Sequence, residues 1–325
     1  MRTRFTDLVG CSAPIQLAGM GPVCSDELCA AVSEAGGLGM ITVAATSPDG
    51  LQARLERIGS LTSKPIGANF LIPVIDRECL RVAARAVRVV DFFWGDPDPA
   101  LVQEAHDGGA LASWQIGSTA EAAAAERAGC DLIIAQGIEA GGHIRGKLGL
   151  LPLLTQVLDA VEIPVLAAGG IGNARELTAV LAAGAAGARC GTRFAAAEES
   201  AAHPVYVQAL IDAQAEDSVR TERYHVNCPL CPSTHGVLRS ALEAADALAD
   251  EVVGELEMHG QTYPIARFQG VPTPIKPARG HIEAMCCYAG QSVGDIQRIQ
   301  PAAEIIADLL AQPALATAHA VAPSP

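Results

Sequence analysis

The sequence predicts a (β/α)8 TIM barrel with a small inserted helical lid domain, and three observations predict it. Eight apolar runs recur between residues 14 and 194, each is apolar throughout rather than alternating, and helix-like stretches separate them. Strands apolar on both faces suit a parallel sheet covered on both sides, and eight successive β–α units suit a closed barrel. An open doubly wound sheet is the architectural alternative, and the glycines at the strand ends favour the barrel.

"PIQLAG" (14–19) is the first strand. It leads into "SDELCAAVSEAG", a helix with Ser25 placed as N-cap and Gly36 as the C-terminal stop. "LGMITVA" (38–44) is the second strand and "PDGLQARLERIGS" the second helix. "PIGANFL" (65–71), "VRVVDFFW" (87–94), "ALASWQI" (110–116), "DLIIAQG" (131–137), "PVLAAGG" (164–170) and "GARCGTRF" (187–194) complete the eight, with helical stretches such as "STAEAAAAERAG" between them. The organisation expected is a barrel over 1–204, a helical insertion or lid over 205–280, and a return to the barrel over 281–325. That last part carries the closing helix "PAAEIIADLLAQ" and a frayed low-complexity tail, "PALATAHAVAPSP".

Composition narrows the partners. The chain has 325 residues, 50% hydrophobic and 18% charged, enough to bury a large core. Its 36 acids against 22 bases give a formal charge of −14, which repels a nucleic-acid backbone and an anionic membrane surface. No apolar run is long enough to span a bilayer, and "MRTRFTDLVG" carries no apolar leader core, so a cytoplasmic chain is expected. The ten cysteines sit among apolar neighbours and fit reduced core residues better than a disulfide framework. A small-molecule substrate is the expected partner, and a homo-oligomer is left open.

Chemistry in such barrels lies at the C-terminal strand ends, with phosphate held after the seventh and eighth strands. Here those strands end "AAGGIGNARE" and "RCGTRF". Glycine lets peptide N–H groups approach an anion, and a helix starting near Asn173 adds its positive end. Gly169 and Gly170 alone would be read as a tight turn; both motifs at the two expected ends read as a phosphate cradle. Without a Walker-type loop or a GxGxxG after the first strand, the cradle suits flavin mononucleotide (FMN) rather than a triphosphate or a Rossmann-bound dinucleotide.

"PIQLAGM…AAVSEAGGLGMI", "GANF", "IIAQGIEAGGH", "PVLAAGGI", "GARCGTRF…ES" and "YAGQSVG" occur in the order found in the nitronate monooxygenase family, formerly 2-nitropropane dioxygenases, over about 12–203 and 281–311. The chain resembles that FMN-dependent barrel family, which is related to FMN-dependent enoyl-ACP reductases and NADH:quinone reductases. The resemblance implies that Met20 and Asn69 lie at the isoalloxazine and that Gln136 and Gly141 contact the flavin. It implies that Gly169, Gly170, Arg189, Cys190, Gly191 and Thr192 hold the phosphate, and that Gln291 and Ser292 close the site. Three departures stand out: "AGM" replaces Ala-Pro-Met, Arg189 stands where Gln is frequent, and "GGHIRG" has one residue more between histidine and glycine.

A histidine after a strand is generally a packed or hydrogen-bonded structural residue. His143 differs in its address, on the loop after the sixth strand, between glycines and facing the same barrel mouth as the cradle. An imidazole with a pKa of about 6.5 can take a proton at neutral pH. In the family that the chain resembles, the matching histidine takes the α-proton of a nitroalkane before the flavin and O2 oxidise the nitronate. His143 is therefore the expected catalytic base, and nitronate oxidation the expected activity. NAD(P)H-dependent reduction of an enoyl thioester or quinone is the alternative, and a flavin-binding protein without turnover the third reading. Glu139 reads as a capping or orienting acid.

In the insertion, "YVQALIDAQAEDS" and "LRSALEAADALADEVVGELEMHG" read as helices and "QTYPIARFQGVPTPIKPARGH" as a proline-rich return loop. His225, Cys228, Cys231 and His235 form H-x2-C-x2-C-x3-H, residue types that bind zinc, at a spacing tighter than a zinc finger's. Zinc, a redox pair and a structural loop are the three readings, and the structural loop, with no metal, is the one adopted. Cys286 and Cys287 are expected to pack at the barrel rim.

Overall fold

The structure, a computed structural model, describes residues 1–258 and 260–312. The tail from residue 313 lies outside the described residues. All eight expected strands form one parallel sheet: β1 (Ile15–Leu17), β2 (Gly39–Val43), β3 (Ile66–Leu71), β4 (Val89–Phe93), β5 (Leu111–Ile116), β6 (Leu132–Gln136), and, after a short arm β7 (Gly142–Ile144), β8 (Val165–Ala168) and β9 (Gly187–Cys190). Their order is β1-β9-β8-β6-β5-β4-β3-β2. A parallel bridge between Gln16 and Leu38 joins the first strand to the second and closes the barrel.

Helix α1 (Arg4–Val9) precedes the barrel, and α2 (Asp26–Glu34), α3 (Pro48–Leu61), α4 (Arg77–Ala86), α5 (Pro99–Asp107), α6 (Thr119–Arg127), α7 (Leu150–Ala160) and α8 (Ala174–Ala182) alternate with its strands. The predicted caps are in place: Ser25 Oγ accepts from Leu28 N–H at 2.9 Å, and Gly36 sits at φ +96°. The short α9 (Thr192–Ala195) follows β9, and α10 (Pro204–Asp212) opens the insertion. After α11 (Arg239–Ala247) the chain returns to the barrel as α12 (Ala302–Leu310), which buries Ile305, Ile306 and Leu309.

The segment 205–280 keeps the two expected helices in α10 and α11 but is not mainly helical. It adds β10 (Ser218–Thr221), β11 (Thr234–Leu238), β12 (Val252–Met258), β13 (Gln261–Ala266) and β14 (Ala278–Gly280). "VVGELEM" has helix-favouring residues, yet it buries Val253 and Leu256 and exposes Glu255 and Glu257, with a bulge between Val252 and Gly254 shifting the alternation. Pro264 is tolerated because β13 is the edge of the β13-β12-β14 sheet. The other small sheet, β10-β11-β7, pairs the insertion with the arm that follows β6. A second apolar core lies under the insertion, built on Tyr206, Tyr224, Val237, Ile265 and Cys286 with Cys287, the vicinal pair being fully packed.

The barrel interior is polar at one level. Arg189 and Asp91 form a buried ion pair at 2.7 Å. Asn69 Nδ2 and Ser113 Oγ donate to the Asp91 carboxylate at 2.7 and 2.6 Å, while Arg189 donates to Gln16 at 3.0 Å and Gln115 at 2.6 Å. Six residues on five strands thus form one buried network, Arg189 Nη2 meeting Asp91 as an ion pair without a hydrogen bond, and it links opposite barrel walls. Removing one partner of such a pair strands the other charge and costs about 3–5 kcal/mol. Asp91→Ala should lower the unfolding free energy in urea by that amount, and Asp91→Leu with Arg189→Met should recover most of it. A loss below about 1 kcal/mol for Asp91→Ala would show that the network does not support the fold.

Candidate active site

The loops at the C-terminal strand ends meet through backbone. Gln291 N–H donates to Glu139 carbonyl at 2.9 Å, Gly290 N–H to Thr192 Oγ1 at 3.0 Å, and Ala289 N–H to Gly236 carbonyl at 3.0 Å. The approach is too close for side chains. A Cβ on Gly141 would lie 2.7 Å from Gly290 N, one on Gly290 2.7 Å from Glu139 O, and one on Gly236 3.0 Å from Ala289 O. Glu139 accepts Leu150 N–H at 2.9 Å and so caps α7.

The expected glycines lie at the ends of β8 and β9. Gly169 and Gly170 take φ +115° and +67° at the end of β8, backbone that other residues adopt only with strain. Gly191 and Thr192 follow β9, and Ser292 lies against Gly172 in the next turn. Gly141, Gly169, Gly170, Gly191, Thr192, Gln291 and Ser292 are thereby brought together. Met20 packs between the barrel core and the insertion core. Asn69 sits on β3, its Oδ1 2.7 Å from where a Cβ on Gly19 would be, so its amide reaches the loop after β1. Arg193, missed in the sequence although it follows Gly191-Thr192, is buried; its Nη2 donates to Gln300 and lies 3.6 Å from Asp308, while its Nη1 has no partner, and it lines a cleft with Gly172, Asn173, Asp295 and Asp308. Peptide groups at strand and helix ends fit an anion such as a flavin phosphate.

Two expected phosphate contacts point elsewhere. Arg189 turns its guanidinium into the barrel and spends it on Asp91. Cys190, the next residue, therefore faces the helix layer, where burial pushes its thiol up to about 12. Gln136 is committed as well: its Nε2 donates to His143 carbonyl at 2.9 Å and its Oε1 accepts Arg145 N–H at 3.2 Å. It holds the arm that carries His143.

His143 lies on β7 directly opposite His235 of β11, and side chains opposite one another share a face of the sheet. The two rings are 4.4 Å apart at their centres, with Trp94 and Tyr288 closing around His143 at 5.7 and 5.6 Å. Trp94 holds left-handed backbone, φ +67°, at the end of β4. His143 Nε2 is 3.2 Å from Cys228 Sγ, a residue 85 positions away. Burial first, then His235, pushes the His143 pKa down to about 3, and burial pushes His235 down to about 4. Burial pushes the Cys228 thiol up to about 12. His225, the first histidine of the sequence motif, is exposed and only meets Glu222 carbonyl through Nδ1 at 3.2 Å. Among the described residues no helix is long and apolar enough to cross a membrane.

Known proteins resemble this chain throughout. The profile of a family described as nitronate monooxygenase matches residues 2–78 and 73–312. FabK from Thermotoga maritima is 31% identical with a TM-score of 0.77 over 95% of each chain. A nitroalkane oxidase from Streptomyces ansochromogenes is 29% identical with a TM-score of 0.74 over 94% of this chain and 96% of its own. A 5-hydroxy-7a-methyl-1-oxo-octahydro-1H-indene-4-carboxyl-CoA dehydrogenase from Rhodococcus jostii is 37% identical over 62% of this chain and only 57% of its own length.

The two hydrogen bonds of Gln136 generate a test of its role. Gln136→Ala should speed hydrogen exchange at the Arg145 amide by about 10-fold or more, the equivalent of losing a buried hydrogen bond, while cofactor content is unchanged. Cofactor loss with unaltered exchange would place Gln136 at the flavin instead.

Proposed function

Because the chain belongs to the nitronate monooxygenase family, we propose that this oxidoreductase binds FMN and oxidises alkyl nitronates with O2. The observation that carries the reading is the pair of left-handed glycines, Gly169 and Gly170, facing Gly191 and Thr192 across neighbouring strand ends. Their peptide groups, with the N-terminal end of α8 nearby, would hold the phosphate. Met20, Asn69, Gly141, Gln291 and Ser292 would border the ring system. Bound there, the flavin supplies the electron acceptor that O2 restores.

His143 remains at the substrate's side of the site, with Trp94 and Tyr288. The sequence reading makes it the base, but its Nε2 is turned toward the Cys228 thiol at 3.2 Å. A nitronate has already lost its α-proton, so it asks no proton transfer of this residue. The nitronate anion is therefore the substrate form favoured over the neutral nitroalkane. A second reading, NAD(P)H-dependent reduction of an enoyl thioester or quinone, is supported by the likeness to FabK and to the carboxyl-CoA dehydrogenase.

Heat-released cofactor from purified protein should run as FMN on chromatography, and Gly170→Ala should lower the FMN-to-protein ratio. Oxygen uptake without NADH should be at least about 10²-fold faster on a preformed nitronate than on the parent nitroalkane, the factor that a missing general base accounts for. FAD, or no flavin, would sink the cofactor reading. Turnover only with NADH plus an enoyl thioester or quinone would transfer the assignment to the reductase.

A further inference from the structure

We propose that His143, Cys228, Cys231 and His235 form a tetrahedral zinc site at the barrel mouth that ties the insertion to the β7 arm. The four side chains offer one ligand atom each, all within 4.8 Å of one another. Around tetrahedral zinc, with Zn–S of about 2.3 Å and Zn–N of about 2.0–2.1 Å, a sulfur and a nitrogen ligand lie about 3.6 Å apart. The separations here bracket that figure: His143 Nε2 to Cys228 Sγ is 3.2 Å, and Cys231 Sγ to His235 Nε2 is 3.8 Å. The longest separation closes by about 1 Å on binding.

The scaffold is built for this set. The two histidines are cross-strand partners on β7 and β11, so the sheet fixes their rings side by side. The two cysteines sit on one tight turn, Cys231 N–H donating to Cys228 carbonyl at 3.3 Å. His235 is wholly buried, yet its Nδ1 has no hydrogen-bond partner and its Nε2 meets only Ser233 Oγ at 3.3 Å and the Cys231 thiol. A metal bond at Nε2 would replace these long contacts with a strong one. Gln136 supports His143 from behind through its carbonyl.

Two thiolates and two imidazoles select zinc over the hard ions calcium and magnesium. Two thiolates also balance a dication, so the loaded site buries no net charge. Binding releases the two thiol protons to solvent. With four protein ligands the site is closed and structural. The sequence motif names three of these ligands but starts from His225, which lies outside the cluster; the fourth ligand is His143.

The test is metal analysis of the full-length protein from zinc-supplemented cells, read beside its FMN content. One zinc per chain is expected, retained by His225→Ala and lost by Cys231→Ser and by His143→Ala. Cobalt exchanged into the site should show thiolate charge-transfer and tetrahedral d–d bands, and chelation should lower Tm by more than about 4 °C. Absence of zinc, a Cys228–Cys231 disulfide in the purified protein, or loss of zinc with His225→Ala but not His143→Ala would each overturn the proposal. The nitronate reading is tested by flavin identity and oxygen uptake, so either conclusion can fail without the other.

Discussion

The site depends on one constraint, the near-contact of three backbone segments at Gly141, Gly236 and Gly290. None of the three positions has room for a Cβ. Their contact pins the arm after β6 between the insertion and the loop at 289–292, and everything at the mouth takes its position from it. β7 can then pair with β11, which sets His235 opposite His143. The same contact lets Gly290 reach Thr192 and so joins the return segment to the loop after β9. A larger side chain at any of the three would disturb both the cradle and the histidine pair, because both hang from this junction.

Below the mouth the barrel solves a different problem. Parallel strands present alternate residues to the lumen, and at one level that lumen is filled by polar groups instead of branched apolar ones. The Arg189–Asp91 pair is held there by opposite charge and by hydrogen bonds to Asn69, Ser113, Gln16 and Gln115. Such a network fixes which face of β9 looks inward. It also explains why Arg189 stands where a glutamine is frequent without adding charge to the phosphate cradle: its charge is already balanced by Asp91, on the far wall of the barrel.

The barrel was legible in the sequence because buried parallel strands read as unbroken apolar runs, and all eight lie within the expected segments. The turn at the end of β8 was legible because Gly169 and Gly170 take positive φ, a local requirement that a sequence displays directly. What escaped depended on contacts between distant segments. Whether Arg189 or Cys190 faces the lumen is a matter of strand register. Strand β12 of the insertion was hidden by a bulge at Val252–Gly254 and by glutamates that favour helices. The Cys/His cluster was half visible: local spacing finds Cys228, Cys231 and His235, but only strand pairing shows that the remaining histidine is His143 and not His225.

His143 therefore stands where two demands meet, and a single nitrogen cannot serve both. A base needs a free lone pair at Nε2, whereas a metal bond, or the thiol contact alone, occupies it. The structure answers with position: Nε2 faces Cys228, and Trp94 and Tyr288 close around the ring. A zinc held by two thiolates is neutral as a unit, so it would shape the mouth without attracting an anion. Attraction for an anionic substrate has to come from elsewhere. Arg145, which lies over Trp94 at 5.9 Å, is already engaged by Glu121 and by Asp96. Arg193 is likewise engaged, by Gln300 and Asp308. On the proposed nitronate reading the substrate would meet Trp94, Tyr288 and the imidazoles of His143 and His235. Surroundings of that kind would suit a small, weakly hydrated anion whose charge is spread over its nitro oxygens better than a compact carboxylate, because the cost of leaving water falls as charge is dispersed.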